Sequence, residues 1–215
     1  MPGPLRAPSL AAIRRIVAAP RAAVDPLERI VANVEGGRLS PALRAVLDQP
    51  TRLASVLLAL LERRGGLTVL FTERAAHLKD HAGQISFPGG RIAEQGETAV
   101  AAALREAQEE IGLDPAEVEI LGPLDDFLTG TGFLITPIVG YVASGEFVAV
   151  PDPTEVASVF EVPLDFICEP ASIVETYRER LGTRFRTYEL EHGGYRIWGA
   201  TAAILVSFRD LISQV

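Results

Sequence analysis

The stretch from Phe87 to Leu113, FPGGRIAEQGETAVAAALREAQEEIGL, constrains the fold more than any other part of the chain. Pro88-Gly89-Gly90 excludes helix at its start, residues 91–96 are polar, and an alanine-rich segment then runs to Gly112. That is a loop feeding a helix, with a glycine where the chain must leave it. On such a helix Val100, Leu104, Ala107 and Ile111 recur at steps of four, three and four and form one apolar stripe.

Glu106, Glu109 and Glu110 fall together on a different face, at i,i+3 and i,i+4 spacing, with Cβ atoms roughly 5 to 6 Å apart. Left unpaired they repel by a few tenths of a kcal/mol per pair, so a cation is expected to offset them. A hard divalent ion that takes oxygen ligands, Mg2+ or Mn2+, fits best. Without further residues the same pattern also describes a solvated acidic helix face.

The surrounding residues add to it. Gly90, Glu97, Arg105-Glu106, Glu109-Glu110 and Gly112-Leu113 resemble the Nudix box, the signature of hydrolases that act on nucleoside diphosphates linked to another moiety. Seven residues separate Glu97 from Arg105, as in the family, and Ala107 fills the apolar slot. The chain departs once, because six residues lie between Gly90 and Glu97, one more than the common pattern. Upstream, Thr72, Arg74, Leu78, His81-Ala82-Gly83-Gln84 and Ser86 to Gly90 resemble the second motif of the coenzyme A pyrophosphatase branch. That branch also carries the longer loop. Ile197 to Thr201 is similar to the branch's closing segment.

The resemblance implies the Nudix fold, an α+β architecture with a mixed curved sheet sandwiched between helices. It implies metal held by Glu106, Glu109 and Glu110, with Gly90 letting the backbone approach. Arg105 would brace the loop through Glu97, and Glu155, after the Pro151 to Thr154 turn, is a candidate for a further ligand or general base. Arg74, His81, Gln84, Phe87, Gly89 and Gly90 are candidate substrate contacts, Arg74 because a guanidinium forks onto phosphate oxygens. Helix geometry points Arg105 away from Glu109. The plain alternatives are a capping role for Glu155 and loop hydrogen bonds for His77 and His81.

Length and composition set outer bounds. With 215 residues, 48% hydrophobic and 22% charged, the chain suits one domain with a substantial core. A net charge of -8 leaves no basic footprint for nucleic acid and suits an anionic membrane surface poorly. The longest apolar run, Leu53 to Leu61, is too short to span a bilayer, and no targeting segment is evident. Cys168 is the single cysteine, so a buried core role and a reducing cytoplasm are expected. Nineteen of the twenty basic residues are arginine, a chain-wide bias that gives no single arginine weight.

Residues 1–50 read as a helical extension of the 51–215 domain, with helices over Ser9 to Val17, Asp25 to Val34 and Ser40 to Leu47. They would pack on the main domain or on a partner subunit, which leaves a homodimer open. Leu53 to Leu61 and Leu67 to Thr72 read as a hairpin, although periodicity alone also suits a short helix for the first run, and a polar loop from Glu73 to Ser86 follows. Strands are expected over Val118 to Leu121, Phe133 to Val142 with a bulge at Gly140, and Phe147 to Val150. A helix over 171–180, a hairpin of Arg184 to Leu190 with Tyr195 to Trp198, and a helix from Thr201 to Ile212 complete the expectation. The expected activity is metal-dependent hydrolysis of coenzyme A or its derivatives; the competitors are ADP-ribose or a dinucleotide as substrate, and a non-catalytic nucleotide-binding module.

Overall fold

The computed structural model describes residues 6–78, 81–93, 96–143 and 145–213. Lys79 and Asp80 of the expected polar loop, and positions 94 and 95 of the loop before the helix, lie outside the described residues.

Three short helices open the chain: α1 (Leu10–Ala18), α2 (Pro26–Ala32) and α3 (Pro41–Leu47). Ser9, Asp25 and Ser40 cap them, their side chains accepting from the amides of Ala12, Leu27 and Leu43. Each cap serves an N–H that has no intrahelical acceptor.

The expected hairpin forms from β1 (Arg52–Arg63) and β2 (Gly66–Arg74), with Leu60 opposite Val69. Side chains alternate along β1. Leu57, Ala59 and Leu61 pack with the helix α4 (Ala99–Ile111), whereas Leu58 and Leu60 join the core on the opposite face, beneath α1 and α6 (Gly199–Ile212). A strand covered on both faces reads as an unbroken apolar run, which is why no alternation shows in residues 53–61.

Parallel to β1 lies β7 (Phe133–Val142), in register from Arg52 opposite Phe133 to Leu61 opposite Val142. The other pairs of this sheet are antiparallel. The short strands β3 (Ile85–Ser86) and β4 (Gly89–Arg91) pair with β2 and β1, β5 (Val118–Pro123) and β6 (Phe127–Leu128) pair with β7, and β8 (Val156–Pro163) pairs with β2. The result is the expected α+β arrangement, a mixed sheet between helical layers. The bulge is in β5, between Ile120 and Gly122, and Gly140 sits across from it. A Cβ there would lie 2.8 Å from Val118 and 2.9 Å from Leu57.

After α5 (Leu164–Cys168), a second antiparallel sheet follows, β9 (Ile173–Arg180), β10 (Thr183–His192) and β11 (Tyr195–Trp198). Of the first fifty residues, the described 6–50 pack onto these elements and the larger sheet. Ile13, Val17 and Leu43 are fully or almost fully buried, α1 lies against α6 and β5, and Val34 bridges to Phe185.

Two expectations fail. Residues 173–180 are strand rather than helix, because β10 supplies eight paired positions to a segment containing Ile173, Val174, Thr176 and Tyr177, which suit a pleated surface. Phe147 to Val150 is not a strand. Val148 and Val150 are 79% and 71% exposed, and the Val150 and Asp152 amides donate to the Ile111 and Glu110 carbonyls at 2.9 Å. Those carbonyls at the end of α4 lack intrahelical donors, and this segment supplies them. Among the described residues no helix is long and apolar enough to cross a membrane.

Candidate active site

The site begins where β4 is threaded between β1 and α4. Gly89 and Gly90 pair with Val56 and Ser55, and the Leu57 amide donates to the Pro88 carbonyl at 2.8 Å. At Gly89, whose φ is 154°, a Cβ would lie 2.4 Å from the Ser55 carbonyl oxygen and 2.6 Å from Val56 Cα, so only glycine fits. At Gly90 a Cβ would lie 2.4 Å from the carboxylate carbon of Glu106. The two glycines thereby let the carboxylates of α4 lie against the strand backbone. Thr98 caps the start of α4, its hydroxyl accepting from Ala101, and Gly112 ends the helix at φ 69°.

Glu110 is 4% exposed and accepts a hydrogen bond of 3.2 Å from the Gly89 amide. Burial pushes its carboxyl up to about 8, opposed by the Gly89 amide, reinforced by the charge of Glu106, opposed by Arg74 and reinforced by Glu155. Those charges therefore lie within electrostatic reach of one another.

Arg105 organises the neighbouring loop. Its Nε and Nη2 donate to Glu97 at 2.8 and 3.2 Å, Nη2 also reaches the Arg91 carbonyl at 3.2 Å, and the Ala93 amide donates to Glu97 at 2.7 Å. The guanidinium, followed by the Ala93 amide, holds the Glu97 carboxyl below the usual range. The expected separation of Arg105 from Glu109 does not occur. Nη1 contacts Glu106 at 2.8 Å and Glu109 at 3.2 Å, because i,i+4 residues are neighbours on a helix and a long guanidinium swings between them. Glu109 itself is 62% exposed in its side chain.

The remaining candidates divide. Arg74 sits at the bulge in the β2–β8 pairing, its backbone bonded to Gln84 and Gly83, and its Nε is buried without an acceptor among the described residues. Glu155 is exposed and holds its position through its carbonyl, which accepts from the Ala75 amide at 2.8 Å. His81, at φ 60°, and Gln84 bond each other through their side chains at 2.7 Å, and the His77 ring meets the Thr154 carbonyl at 3.0 Å. Phe87, expected at the substrate, lies in the core. It is 2% exposed and stacks on Phe71 with ring centroids 5.1 Å apart, so its side chain packs the core. Cys168 is buried, which raises its thiol pKa, as a core cysteine should.

Sequence reasoning did not find Ser55, fully buried and bonded to the Thr136 carbonyl at 2.9 Å, nor Arg52 and Arg91, which both lie over the Phe133 ring. Only the β4–β1–β7 register joins these distant positions. The one signal available was that Arg91 directly follows the box glycine.

Among the described residues, no three acidic, histidine or cysteine side chains converge on one point, since Arg105 holds Glu106 and Glu109. The donor chemistry nevertheless fits a hard divalent cation at Glu106 and Glu110. Glu110 is buried and accepts from the Gly89 amide, Glu106 packs on Gly90 while sharing Arg105 with Glu97 and Glu109, and the charge of Glu106 adds to the rise of the Glu110 pKa, an arrangement that a cation would relieve.

A family model described as NUDIX domain matches residues 51–179. The chain belongs to the Nudix family. It is a Nudix hydrolase acting on a nucleoside diphosphate derivative, and such enzymes generally use Mg2+ or Mn2+. It is 40% identical over 166 residues to NudL of Citrobacter koseri, an uncharacterized Nudix hydrolase, covering 76% of this chain and 83% of that one. Nudix hydrolase 15, mitochondrial, from Arabidopsis thaliana is 35% identical over 159 residues, 71% of this chain and 56% of its own. Among solved structures, RenU, a Nudix hydrolase from M. smegmatis, is 24% identical with a TM-score of 0.45, covering 54% of this chain and 72% of that one.

Proposed function

We propose that this Nudix hydrolase cleaves the pyrophosphate bond of coenzyme A, or of its thioesters or oxidised forms, to 3',5'-ADP and a 4'-phosphopantetheine derivative. The observation that carries the phosphate chemistry is Arg74. Its Nε is buried with no acceptor among the described residues, and its charge is felt by Glu110, so a donor waits beside the carboxylates for an anionic oxygen. Coenzyme A as the substrate is supported by the segment before the box. Thr72, Arg74, Gln84 and Ser86 interlock there, Thr72 meeting the Ser86 hydroxyl at 3.1 Å and Arg74 bonding Gln84 through the backbone.

Glu106 and Glu110 would hold Mg2+ or Mn2+, which would supply charge neutralisation at the diphosphate and a more acidic water. Arg74 orients a phosphate oxygen. Gly89 and Gly90 keep the floor of the site free of side chains. Arg105 fixes the 91–97 loop through Glu97 and the Arg91 carbonyl. A box carboxylate or Glu155 accepts the proton of the attacking water. The test is incubation with Mg2+ and coenzyme A, ADP-ribose or NADH, with products analysed by mass spectrometry. Release of 3',5'-ADP from coenzyme A is expected. Cleavage of ADP-ribose or NADH with coenzyme A left intact rejects the substrate.

A further inference from the structure

One cluster of charge next to the site takes no part in the chemistry above. Arg91 follows Gly90, and Arg52 lies two residues before Ala54, the partner of Arg91 across the β1–β4 pairing. Both guanidiniums lie over one ring: the carbon at the centre of Arg52 is 3.9 Å from the Phe133 centroid and that of Arg91 is 5.7 Å away. Ten of the nineteen arginines pair with a carboxylate among the described residues, and these two do not. The polar partner found for Arg52 is the Thr131 carbonyl, at 2.6 Å. Two exposed like charges thus meet at one aromatic ring with no acid paired to either among the described residues, which favours a bound anion.

Position says which anion. Successive side chains of a strand point to opposite faces, so Gly90 meets Glu106 on the α4 side while Arg91 emerges on the other side. A group bound there is one residue away from the hydrolytic carboxylates yet separated from them by the strand. It is therefore not the diphosphate being cleaved but a further anion on the same substrate. Guanidinium pairs match phosphate oxygens, and an arginine stacked on an aromatic ring is pre-oriented to do so.

We infer that Arg52 and Arg91, held over Phe133, form a clamp for a phosphate monoester carried by the nucleoside half of the substrate. This deepens the coenzyme A proposal and rests on it for the identity of that group, the 3'-phosphate. The clamp selects substrates that carry the extra phosphate and touches neither the metal carboxylates nor the attacking water.

Binding of 3',5'-ADP and of AMP is measured by isothermal titration calorimetry on the full chain, wild type and the R52A, R91A and R52A/R91A variants, with R91K as a conservative control. Both side chains are exposed, and folding of each variant is to be checked by circular dichroism. Wild type is expected to bind 3',5'-ADP more tightly than AMP by on the order of tenfold per arginine, the double variant to lose that preference, and R91K to keep part of it. Equal affinity of wild type for the two nucleotides, or an unchanged preference in the double variant, overturns the clamp. Loss of coenzyme A as a substrate in the hydrolysis panel overturns the activity proposal instead, and the two failures are read in separate experiments.

Discussion

Replacing Glu110 with glutamine separates what this residue costs the fold from what it gives the site. Its carboxyl is pushed from 4.5 to about 8 in the folded protein. A carboxyl with a raised folded pKa takes up a proton on folding, so its penalty is absent well below pH 4.5, grows as pH rises, and levels off above about 8. At 1.36 kcal/mol per unit, the metal-free wild type loses about 3 kcal/mol between pH 5 and pH 7.5 through this one group. Glutamine is neutral throughout and keeps an oxygen for the Gly89 amide. In EDTA the E110Q variant should match wild type within about 1 kcal/mol at pH 5 and exceed it by about 3 kcal/mol at pH 7.5, a melting difference of roughly 6 to 12 °C. Mg2+ should raise the melting temperature of wild type and leave E110Q unchanged, and turnover should vanish. Thermal melts followed by circular dichroism supply the readout. A variant less stable than wild type at pH 7.5, or a gap that does not change with pH, refutes the buried-carboxylate reasoning.

Other perturbations test the frame around it. Gly89→Ala drives a Cβ into the Ser55 carbonyl and should cost about 3 kcal/mol or more in urea unfolding, whereas Gly90→Ala meets only the end of the Glu106 side chain and should abolish turnover at a smaller stability cost. Glu97→Gln removes an acceptor of the Ala93 amide and of Arg105; hydrogen exchange at Ala93 should speed up and turnover should fall, and unchanged exchange would count against the brace. Phe87→Leu should lower stability by about 1 to 3 kcal/mol without raising KM, since the ring packs on Phe71; a raised KM at unchanged stability would return Phe87 to the substrate.

Much of this was legible before the structure. Helix α4 with its apolar stripe and its stop at Gly112 follows from spacing within one short stretch, where geometry is nearly fixed by the helix itself, and the Glu97–Arg105 pair is what the family resemblance implies. The hairpin of β1 and β2 followed from its Gly65-Gly66 turn. Strand β9 was misread because an isolated eight-residue segment does not reveal the β10 partner that decides its conformation. Segment 147–150 was misread because its hydrogen bonds go to the end of a helix. The burial of Glu110, the packing of Phe87 and the meeting of Arg52 with Arg91 over Phe133 depend on cross-strand register between residues far apart in the chain, which no local pattern encodes.

Glu110, buried beside Glu106 and two glycines, is positioned to capture a divalent cation. Titrating the protein with Mn2+ and following the free-ion signal by electron paramagnetic resonance tests it most directly. Wild type should deplete free Mn2+ at the protein's own concentration, and E110Q should leave it in solution; equal depletion by both proteins, or none by wild type, contradicts the account.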